Sequence, residues 1–401
     1  MFSKQLVVLV GGRGTRLGEA TKITPKPLLE INEGRAFLDY FLENAVRQGF
    51  VDILLLAGYL GEQVYERYHG KIIGAARITV LIEPEAMGTG GAFRFAYDHL
   101  QPTFMAANGD TLFDINMRAV DHRVHVDATT EGVLALRHVA DSSRYGQVSL
   151  DAEGGVVRFA EKHVATKPVA GLINGGIYSL RKTAIDRLPE GASSIESDLF
   201  PLLAEEGKLG GVVSTGYFLD IGLPDTLQMA RRELPERRRK VLFLDRDGVL
   251  NIDKGYLYRI EDFEWVEGAI SLIRRANDIG RAVIVITNQA GVARGLYTEA
   301  DVHVLHRYMQ ECLYENGAFV DAFYYCPYHK DASIDRYWHA DHPDRKPNPG
   351  MIIKAISDHD LDIDQAVMIG DQLTDVAAAE AAGIMGLLYT GGNLNTLKLD
   401  F

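Results

Sequence analysis

Short apolar runs recur along the chain, and several of them stop at a glycine or an acidic residue. The run over residues 6–10 stops at Gly11, and the run over residues 241–244 stops at Asp245. Runs of this length, bounded by polar loops, are typical of buried parallel strands. The other runs of this kind cover residues 53–57, 104–107, 133–136, 282–286 and 366–369. The pattern predicts an α/β fold with polar loops at the carboxyl ends of its strands, where such folds bind ligands.

Helical stretches lie between these runs, for example over residues 36–48 and 269–279. A highly charged segment with one proline then separates two series of strands and helices, and it has little to bury. Because 401 residues exceed what one hydrophobic core usually serves, two domains are expected. We place them at residues 1–232 and 241–401, joined by a charged linker over residues 233–240. One large α/β domain is the alternative, and the second strand-and-loop start after the linker disfavours it.

The composition is that of an ordinary globular protein, with 47% hydrophobic and 24% charged residues. A net charge of −13 argues against a nucleic-acid partner, which would need excess positive charge. The two cysteines, Cys312 and Cys326, cannot build a disulfide framework and fit a reducing compartment. No apolar stretch approaches membrane-spanning length, and the first run is too short for a signal peptide. We expect a cytoplasmic protein without a membrane partner, and the oligomeric state stays open.

A glycine-rich segment, Gly-Gly-Arg-Gly-Thr-Arg-Leu over residues 11–17, follows the first predicted strand. Its glycines let the backbone bring N–H groups close to phosphate oxygens. Arg16 adds a fixed cation, and Lys26 follows in a Pro-Lys-Pro segment. A glycine-rich turn alone is weak evidence, because structural turns use glycine as often. The loop, the arginine and the Pro-Lys-Pro segment together are more specific for a phosphate-binding loop.

With these motifs the first half resembles the nucleoside-diphosphate-sugar pyrophosphorylases, also called sugar-1-phosphate nucleotidyltransferases. The resemblance covers most of residues 1–230 and implies a Rossmann-like domain of the GT-A type. It implies nucleotide contacts from Gly11, Gly12, Gly14, Thr15, Gly88, Thr89 and Gly90. It further implies sugar-phosphate contacts from Glu161, Lys162 and Asn174, and metal ligation by Asp110 and Asp220.

The chemistry of that family accounts for these residue types. A sugar-1-phosphate oxygen attacks the α-phosphorus of a nucleoside triphosphate, so the protein's task is alignment and charge neutralisation. The two aspartates would share Mg²⁺, which prefers carboxylates and phosphate oxygens. Arg16 and Lys26 would act on the triphosphate as catalytic cations. Taken singly, Asp110 is explained equally well as a turn residue and Lys162 as a surface charge. The order of all the motifs favours the functional interpretation.

The second half opens with Asp245-Arg246-Asp247-Gly248 directly after its first predicted strand. Two carboxylates two residues apart in a sharp loop can serve as nucleophile and as proton donor. This segment resembles the first motif of the haloacid-dehalogenase (HAD) superfamily of phosphatases. The other motifs follow in order: Thr287-Asn288, Lys346, and a metal-binding segment over residues 370–375. The resemblance implies a HAD-like α/β domain in which Asp245 forms an aspartyl-phosphate and Asp247 is acid and base.

The metal and substrate contacts follow from the same resemblance. Mg²⁺ would lie between Asp245, the backbone carbonyl of Asp247, and Asp371. Residues 287–295 and 345–351 resemble the heptose-bisphosphate and histidinol-phosphate phosphatases, small members with little cap domain. The spacing here leaves no room for a large cap either. The resemblance implies substrate and phosphate contacts from Thr287, Asn288, Gln289, Arg294, Arg345 and Lys346.

A structural zinc site is the feature in which the chain departs from that group. The group commonly binds Zn²⁺ through a Cys-x-His and a Cys-x-Cys pair, whereas this chain offers Cys326, His329, His339 and His342. These four have suitable ligand types for a tetrahedral site. Tyr328, however, stands where a ligand is expected. We favour a loop without metal, and Zn²⁺ binding is the alternative.

The fusion itself indicates a pathway. A phosphatase acting on heptose 1,7-bisphosphate releases heptose 1-phosphate, which a sugar-1-phosphate nucleotidyltransferase can use, whereas a histidinol-phosphate phosphatase gives no such link. The hypothesis is a bifunctional enzyme that removes the 7-phosphate of D-glycero-α-D-manno-heptose 1,7-bisphosphate and then makes GDP-heptose from GTP. One alternative is a GDP-mannose or other NDP-sugar enzyme, using GTP or another nucleoside triphosphate, with an unrelated phosphatase. A regulatory or binding role for one half is another, which the complete set of motifs disfavours.

Overall fold

The structure is a computed structural model that describes residues 2–142, 146–160 and 169–397. The chain forms two compact units, Met1–Arg237 and Arg238–Phe401. None of the described helices is long and apolar enough to cross a membrane.

The first unit is built on a mixed ten-stranded sheet, with two further two-stranded sheets. Its strands are β1 (Gln5–Leu9), β2 (Glu30–Asn32), β3 (Arg35–Ala36), β4 (Asp52–Ala57), β5 (Ile72–Ile73), β6 (Ala76–Ile82), β7 (Thr103–Asn108), β8 (Thr111–Asp114), β9 (Gly132–Val139), β10 (Gln147–Leu150), β11 (Val156–Ala160), β12 (Gly171–Arg181), β13 (Leu209–Val213) and β14 (Tyr217–Asp220). Its α-helices are α1 (Phe37–Arg47), α2 (Gly61–Tyr68), α3 (Gly88–Phe95), α4 (Met117–Val126), α5 (Lys182–Ile185), α6 (Phe200–Glu205) and α7 (Pro224–Glu233).

Strand β1 lies inside this sheet, parallel to β4 on one side and to β7 on the other. Its side chains alternate between two apolar cores, with Leu6 and Val8 in one and Val7 in the other. Burial on both faces explains why the strand reads as an unbroken apolar run. The predicted strands over residues 53–57 and 104–107 are β4 and β7, and the predicted α/β fold is confirmed.

The sheet is mixed rather than wholly parallel. Strand β12 runs antiparallel to both β7 and β9. The run over residues 133–136 belongs to β9, which is parallel only to β13. The apolar pattern reports burial on both faces of a strand and not its direction, so this difference could not be read from the runs.

One of the small sheets brings two distant acidic residues together. Strand β14 pairs antiparallel with β8, with Asp220 opposite Thr111, the residue after Asp110. The chain enters β8 through Gly109, where a Cβ would lie 2.6 Å from a methyl of Val10 and 3.0 Å from the Leu9 carbonyl oxygen. Only glycine therefore allows the turn into β8 to pass so close to β1.

The second unit is a five-stranded parallel sheet in the order β17-β16-β15-β18-β19. Its strands are β15 (Arg239–Leu244), β16 (Ala282–Asn288), β17 (Ala322–Cys326), β18 (Leu361–Gly370) and β19 (Met385–Leu388). Its α-helices are α8 (Ala269–Asp278), α9 (Ala290–Ala293), α10 (Glu299–Glu315), α11 (Gly350–Asp358) and α12 (Leu373–Ala381). Helices α8 and α10 pack in one core of the unit and α11 and α12 in the other. The HAD-like parallel architecture expected from the sequence is confirmed.

Part of the segment predicted as a linker is regular structure. Helix α7 continues to Glu233, and β15 begins at Arg239 rather than at the apolar run. Arg239 and Lys240 pair in parallel with Leu361 and Asp362 of β18. Backbone pairing does not require apolar side chains, so a prediction based on hydrophobicity misses charged residues at the end of a strand.

Candidate active sites

A cavity of about 630 Å³ opens at the carboxyl ends of β1 and β7 in the first unit. It gathers residues predicted for the nucleotide, the metal and the sugar phosphate. Those lining it are Gly12, Gly14, Thr15, Arg16, Lys26, Asp110, Asn174 and Asp220. Gly14 adopts a left-handed conformation (φ +60°), which its missing Cβ permits. The phosphate-loop residues and the acidic pair thus share one space, as a phosphoryl-transfer site requires.

Lys26 joins the two predicted metal ligands. Its Nζ lies 2.7 Å from Asp110 Oδ2 and 3.2 Å from Asp220 Oδ1, and the lysine is almost fully buried. The two carboxylates are partly exposed to the cavity, and Gly222 N donates to Asp220 Oδ1 at 2.8 Å. Two hard oxygen donors beside a space for phosphates fit Mg²⁺, which binds one or two carboxylates together with substrate oxygens.

The loop expected to contact the base is packed against a later segment of the unit. Gly90 N donates to the Ser193 carbonyl at 2.8 Å, and a Cβ on Gly88 would lie 2.4 Å from that same oxygen. The Thr89 hydroxyl donates to Glu196 Oε2 at 2.7 Å and accepts from Ile195 N at 3.0 Å. Glu196 lines the cavity, whereas residues 88–90 do not. The loop therefore shapes the cavity through Glu196.

Glu196 did not emerge from the sequence. Ser194 caps a short π-helical turn, Ile195–Leu199, through bonds from the backbone N–H groups of Glu196 and Ser197. A serine before acidic residues signals a helix start and nothing more. On the sugar side, Asn174 Nδ2 donates to the Tyr178 hydroxyl at 2.9 Å, and Asn174 lines the cavity. Glu161 and Lys162 lie outside the residues that the structure describes.

In the second unit, the predicted nucleophile lies at the carboxyl end of β15 against a buried lysine. Lys346 Nζ is 2.7 Å from Asp245 Oδ1 and 2.6 Å from Asp375 Oδ1, and it donates to the Ile286 carbonyl at 2.9 Å. Burial raises the pKa of Asp245 to about 7, although Lys346 opposes the shift. Burial works to lower the pKa of Lys346, but the two carboxylates outweigh it, so its pKa is raised. The lysine is therefore a fixed positive charge beside the predicted nucleophile.

Three carboxylates form a group that could hold a divalent cation. Asp245, Asp371 and Asp375 each bring one oxygen within 4.8 Å of the others. Burial raises the pKa of Asp371. Gly248 faces this group, since a Cβ there would lie 2.3 Å from Asp371 Oδ2. Asp375 lies in the metal-binding segment predicted over residues 370–375, although only Asp371 of that segment was predicted by name as a ligand.

Asp247 is not one of these three carboxylates, and its side chain is held by donors on several sides. Arg246 Nη2 lies 2.9 Å from Asp247 Oδ2, and Asn251 Nδ2 donates to Oδ1 at 3.0 Å. Gln289 Nε2 donates to Oδ2, also at 3.0 Å. The Arg246 side chain is fully buried, and burial together with Arg246 lowers the pKa of His306 well below its usual value. Neutral His306 can thus accept from Arg246, 3.3 Å away.

The predicted substrate contacts divide into two groups. Gln289 is 1% exposed and donates to Thr287 Oγ1 at 2.9 Å as well as to Asp247. Asn288 Nδ2 donates to the Lys346 carbonyl at 3.0 Å, and Lys346 N donates back to Asn288 Oδ1 at 3.1 Å. These side chains are bonded to Asp247 and Lys346, whereas Arg294 is exposed and Arg345 partly exposed.

The loop with the possible zinc ligands is organised by other contacts. Tyr328 stacks on His342 with ring centroids 4.0 Å apart, and Cys326 Sγ lies 3.9 Å from His342 Nδ1. Backbone N–H groups of Asp331 and Asp341 donate to Nδ1 of His329 and of His339. In the part of the chain that the structure describes, only the three-aspartate group brings three ligand atoms within 4.8 Å of one another, and these four side chains do not. The absence of zinc stays a prediction.

Together, the fold and the two sites define a nucleotidyltransferase joined to a HAD-like phosphatase. The family described as nucleotidyl transferase matches residues 5–237, and the HAD-hydrolase-like family matches residues 344–400. The chain therefore belongs to the nucleotidyl transferase family, and its second unit belongs to the HAD-like phosphatases. Both units are of enzymatic families.

Each unit is also similar to individual proteins of known type. The chain is 42% identical over 159 residues to a D-glycero-beta-D-manno-heptose-1,7-bisphosphate 7-phosphatase of Rhodopseudomonas palustris, covering 39% of this chain and 87% of that protein. It is 42% identical over 147 residues to the corresponding alpha-named phosphatase of Burkholderia mallei, covering 37% and 77%. The crystal structure of HddC from Yersinia pseudotuberculosis is 29% identical, with a TM-score of 0.50, over 58% of this chain and 100% of HddC.

Proposed function

We propose that the chain is a bifunctional enzyme of nucleotide-activated heptose synthesis. The second unit removes the 7-phosphate of D-glycero-α-D-manno-heptose 1,7-bisphosphate. The first unit then transfers GMP from GTP to heptose 1-phosphate, giving GDP-heptose and pyrophosphate. The observation that carries the proposal is the fusion of a nucleotidyl transferase with a unit 42% identical to heptose-1,7-bisphosphate 7-phosphatases, because the product of one reaction is the acceptor of the other.

In the phosphatase, a carboxylate oxygen of Asp245 attacks the phosphorus of the 7-phosphate and the sugar oxygen leaves. Asp247 protonates that oxygen, and then takes a proton from the water that hydrolyses the aspartyl-phosphate. Lys346, 2.7 Å from Asp245, balances negative charge at the nucleophile. Asp245, Asp371 and Asp375 would hold Mg²⁺, which when bound neutralises charge on the phosphoryl oxygens.

In the transferase, the glycine loop and Arg16 would cradle the triphosphate. Asp110 and Asp220 would hold Mg²⁺, and Lys26 keeps the two carboxylates together. An oxygen of the sugar 1-phosphate attacks the α-phosphorus and pyrophosphate leaves, with no covalent enzyme intermediate. The enzyme's contribution is alignment and charge neutralisation within the cavity.

Glu83 supports guanine as the base. Its carboxylate adjoins the glycine loop, since a Cβ on Gly11 would lie 3.2 Å from Glu83 Oε1, and Met87 N donates to Oε2 at 3.3 Å. A carboxylate only accepts hydrogen bonds. Guanine presents two adjacent donors, N1–H and the N2 amino group, on one edge, whereas uracil and thymine present a single N–H. A half-buried carboxylate with two acceptor oxygens therefore favours guanine over uracil and thymine.

The two phosphatase relatives above are named for different anomers, so they do not indicate which anomer this chain uses. We propose the α anomer because the guanylyl transfer proposed for the first unit uses the α-anomeric sugar phosphate. The test is mass spectrometry of products after incubating each anomer of heptose 1,7-bisphosphate with Mg²⁺ and four nucleoside triphosphates. The α anomer should yield GDP-heptose. Heptose 1-phosphate should accumulate with Asp110→Asn, and the bisphosphate should persist with Asp245→Asn. A different nucleotide sugar would refute the base, and a persistent 7-phosphate with the native chain would refute the phosphatase assignment.

A further inference from the structure

Glu196 is a cavity-lining carboxylate to which the reaction outlined above gives no role. Among the residues that the structure describes, two other carboxylates line the cavity, Asp110 and Asp220, and both lie against Lys26. Glu196 instead is the second residue of the π-helical turn Ile195–Leu199 and is partly exposed. Among the described residues, no lysine, arginine or histidine lies within 4.0 Å of its carboxylate. Its charge is therefore not explained by an ion pair in this part of the chain.

The hydrogen bonds of Glu196 are one-sided. The Thr89 hydroxyl donates to Oε2 at 2.7 Å, and the Ser194 hydroxyl donates to the same oxygen at 3.0 Å. Oε1 receives no hydrogen bond from the described residues. Two neutral hydroxyl donors thus fix the side chain by one oxygen, and the other oxygen keeps its acceptor capacity beside the cavity.

The chemistry of a carboxylate restricts what that oxygen can bind. An ionised carboxylate accepts hydrogen bonds and donates none. It also repels phosphate oxygens, which carry the same charge. Among the described residues, the groups expected to bind phosphate are the glycine loop, Arg16 and Lys26, so Glu196 suits an uncharged donor of the substrate. Hydroxyl groups of a sugar are such donors, and so are hydroxyls of a ribose.

The neighbours of Glu196 indicate whether it faces a sugar hydroxyl or a ribose hydroxyl. Tyr178 is fully buried, and after burial itself the charge of Glu196 is the largest influence raising its pKa. The Tyr178 hydroxyl in turn receives the hydrogen bond of Asn174, the residue expected at the sugar phosphate. Gly175 and Gly176, on the same strand as Asn174, also line the cavity. Glu196 therefore adjoins the wall formed by β12, where the sugar phosphate is expected.

We propose that Glu196 is a specificity-determining residue that accepts a hydrogen bond from a hydroxyl of the sugar 1-phosphate, with Thr89 as its positioning residue. The inference rests on the proposed nucleotidyl transfer to a heptose 1-phosphate. It gives the loop over residues 88–90 a function on the sugar side, through Thr89, in addition to the nucleotide contacts expected of it.

The test measures pyrophosphate release by the full chain with heptose 1-phosphate and GTP, varying each substrate at saturating levels of the other. Glu196→Gln keeps the size of the side chain and replaces one acceptor oxygen by a donor. It should raise the KM for heptose 1-phosphate on the order of 10-fold to 100-fold and leave the KM for GTP within about 2-fold. Thr89→Val should raise the sugar KM less. Glu190→Gln, an exposed carboxylate outside the cavity, is the matched control and should change neither value.

Deoxy analogues of the sugar phosphate identify the hydroxyl. For the analogue that lacks the bonded hydroxyl, the native chain and Glu196→Gln should have the same KM. A raised KM for GTP with an unchanged sugar KM would move Glu196 to the nucleoside and overturn the proposal, as would two unchanged values. If the native chain releases no pyrophosphate with any heptose 1-phosphate, the proposed function fails and this inference fails with it. An active native chain with an unaltered Glu196→Gln variant refutes the inference alone.

Discussion

Replacing Lys346 by methionine tests whether the phosphatase site depends on a buried ionic cluster. The lysine Nζ lies within 2.9 Å of Asp245, Asp375 and the Ile286 carbonyl. The side chains of Lys346, Asp245 and Asp375 are 3%, 10% and 2% exposed. Methionine retains much of the aliphatic packing but leaves two carboxylates without their cation. Removing one partner of such a buried pair costs about 3–5 kcal/mol, because the remaining charge stays out of water.

The destabilisation caused by Lys346→Met should depend on pH, and it should be smaller at low pH. Burial already raises the pKa of Asp245 to about 7, and loss of Lys346 removes a charge that lowers it. A carboxyl whose folded-state pKa is raised contributes stability at low pH, and that contribution disappears as pH rises through the folded-state pKa. The destabilisation caused by Lys346→Met should therefore be smaller at pH 5 than at pH 8.

The assay is urea unfolding followed by tryptophan fluorescence, in the presence of a chelator. Both tryptophans of the chain, Trp265 and Trp338, belong to the second unit, so the signal reports on that unit. With a slope of about 2 kcal/mol per molar urea, the midpoint should fall by roughly 2 M at neutral pH.

The matched control is Lys354→Met. Lys354 lies 2.9 Å from Asp358, but the two side chains are 58% and 41% exposed, so water screens the pair and its loss should cost little stability. The reasoning is refuted if Lys346→Met destabilises the unit no more than Lys354→Met does. It is also refuted if the loss of stability is larger at pH 5 than at pH 8.

Two further predictions concern side chains beside the reacting groups. Glu83→Gln should lower the preference for GTP over the other triphosphates by about 10-fold in kcat/KM, because one acceptor for the guanine edge becomes a donor. Competition among four nucleoside triphosphates measures this preference. An unchanged preference would show that Glu83 does not contact the base. Gln289→Leu should lower the kcat for phosphate release by about 10-fold with little change in KM, because Asp247 loses one of the donors that fix its orientation. A raised KM with normal kcat would instead make Gln289 a substrate ligand, as the resemblance implied.

Much of this protein follows from local sequence patterns. Apolar runs of four or five residues identified the strands β1, β4, β7, β15 and β16 within one or two residues of their ends. For β18 the run marked only the carboxyl-terminal part, because the strand begins at Leu361, five residues before the run. Loops after these strands contain Gly12, Asp110, Asp245 and Asp371. Because the carboxyl ends of parallel neighbours meet at one edge of a sheet, strand order and loop chemistry together indicate a phosphate site in each unit.

Other features depend on contacts between residues far apart in the chain. The pairing of β8 with β14 places Asp220 beside Asp110, and no local pattern encodes that pairing. The same holds for Glu196, which reaches the cavity because Thr89 and Ser194 hold it there. Gln289 reads as a loop residue available to substrate, yet its amide is buried against Asp247.

The division has a physical reason. Periodic burial and strand-end turns are properties of a few consecutive residues. The sequence alone therefore determines which segments form strands and which chemical groups follow them. The direction of β12, the partner of each carboxylate and the exposure of each polar side chain depend on which distant segments pack together. Those were decided only by the tertiary structure, because the free energy of a buried charge or hydrogen bond is set by its neighbours in space.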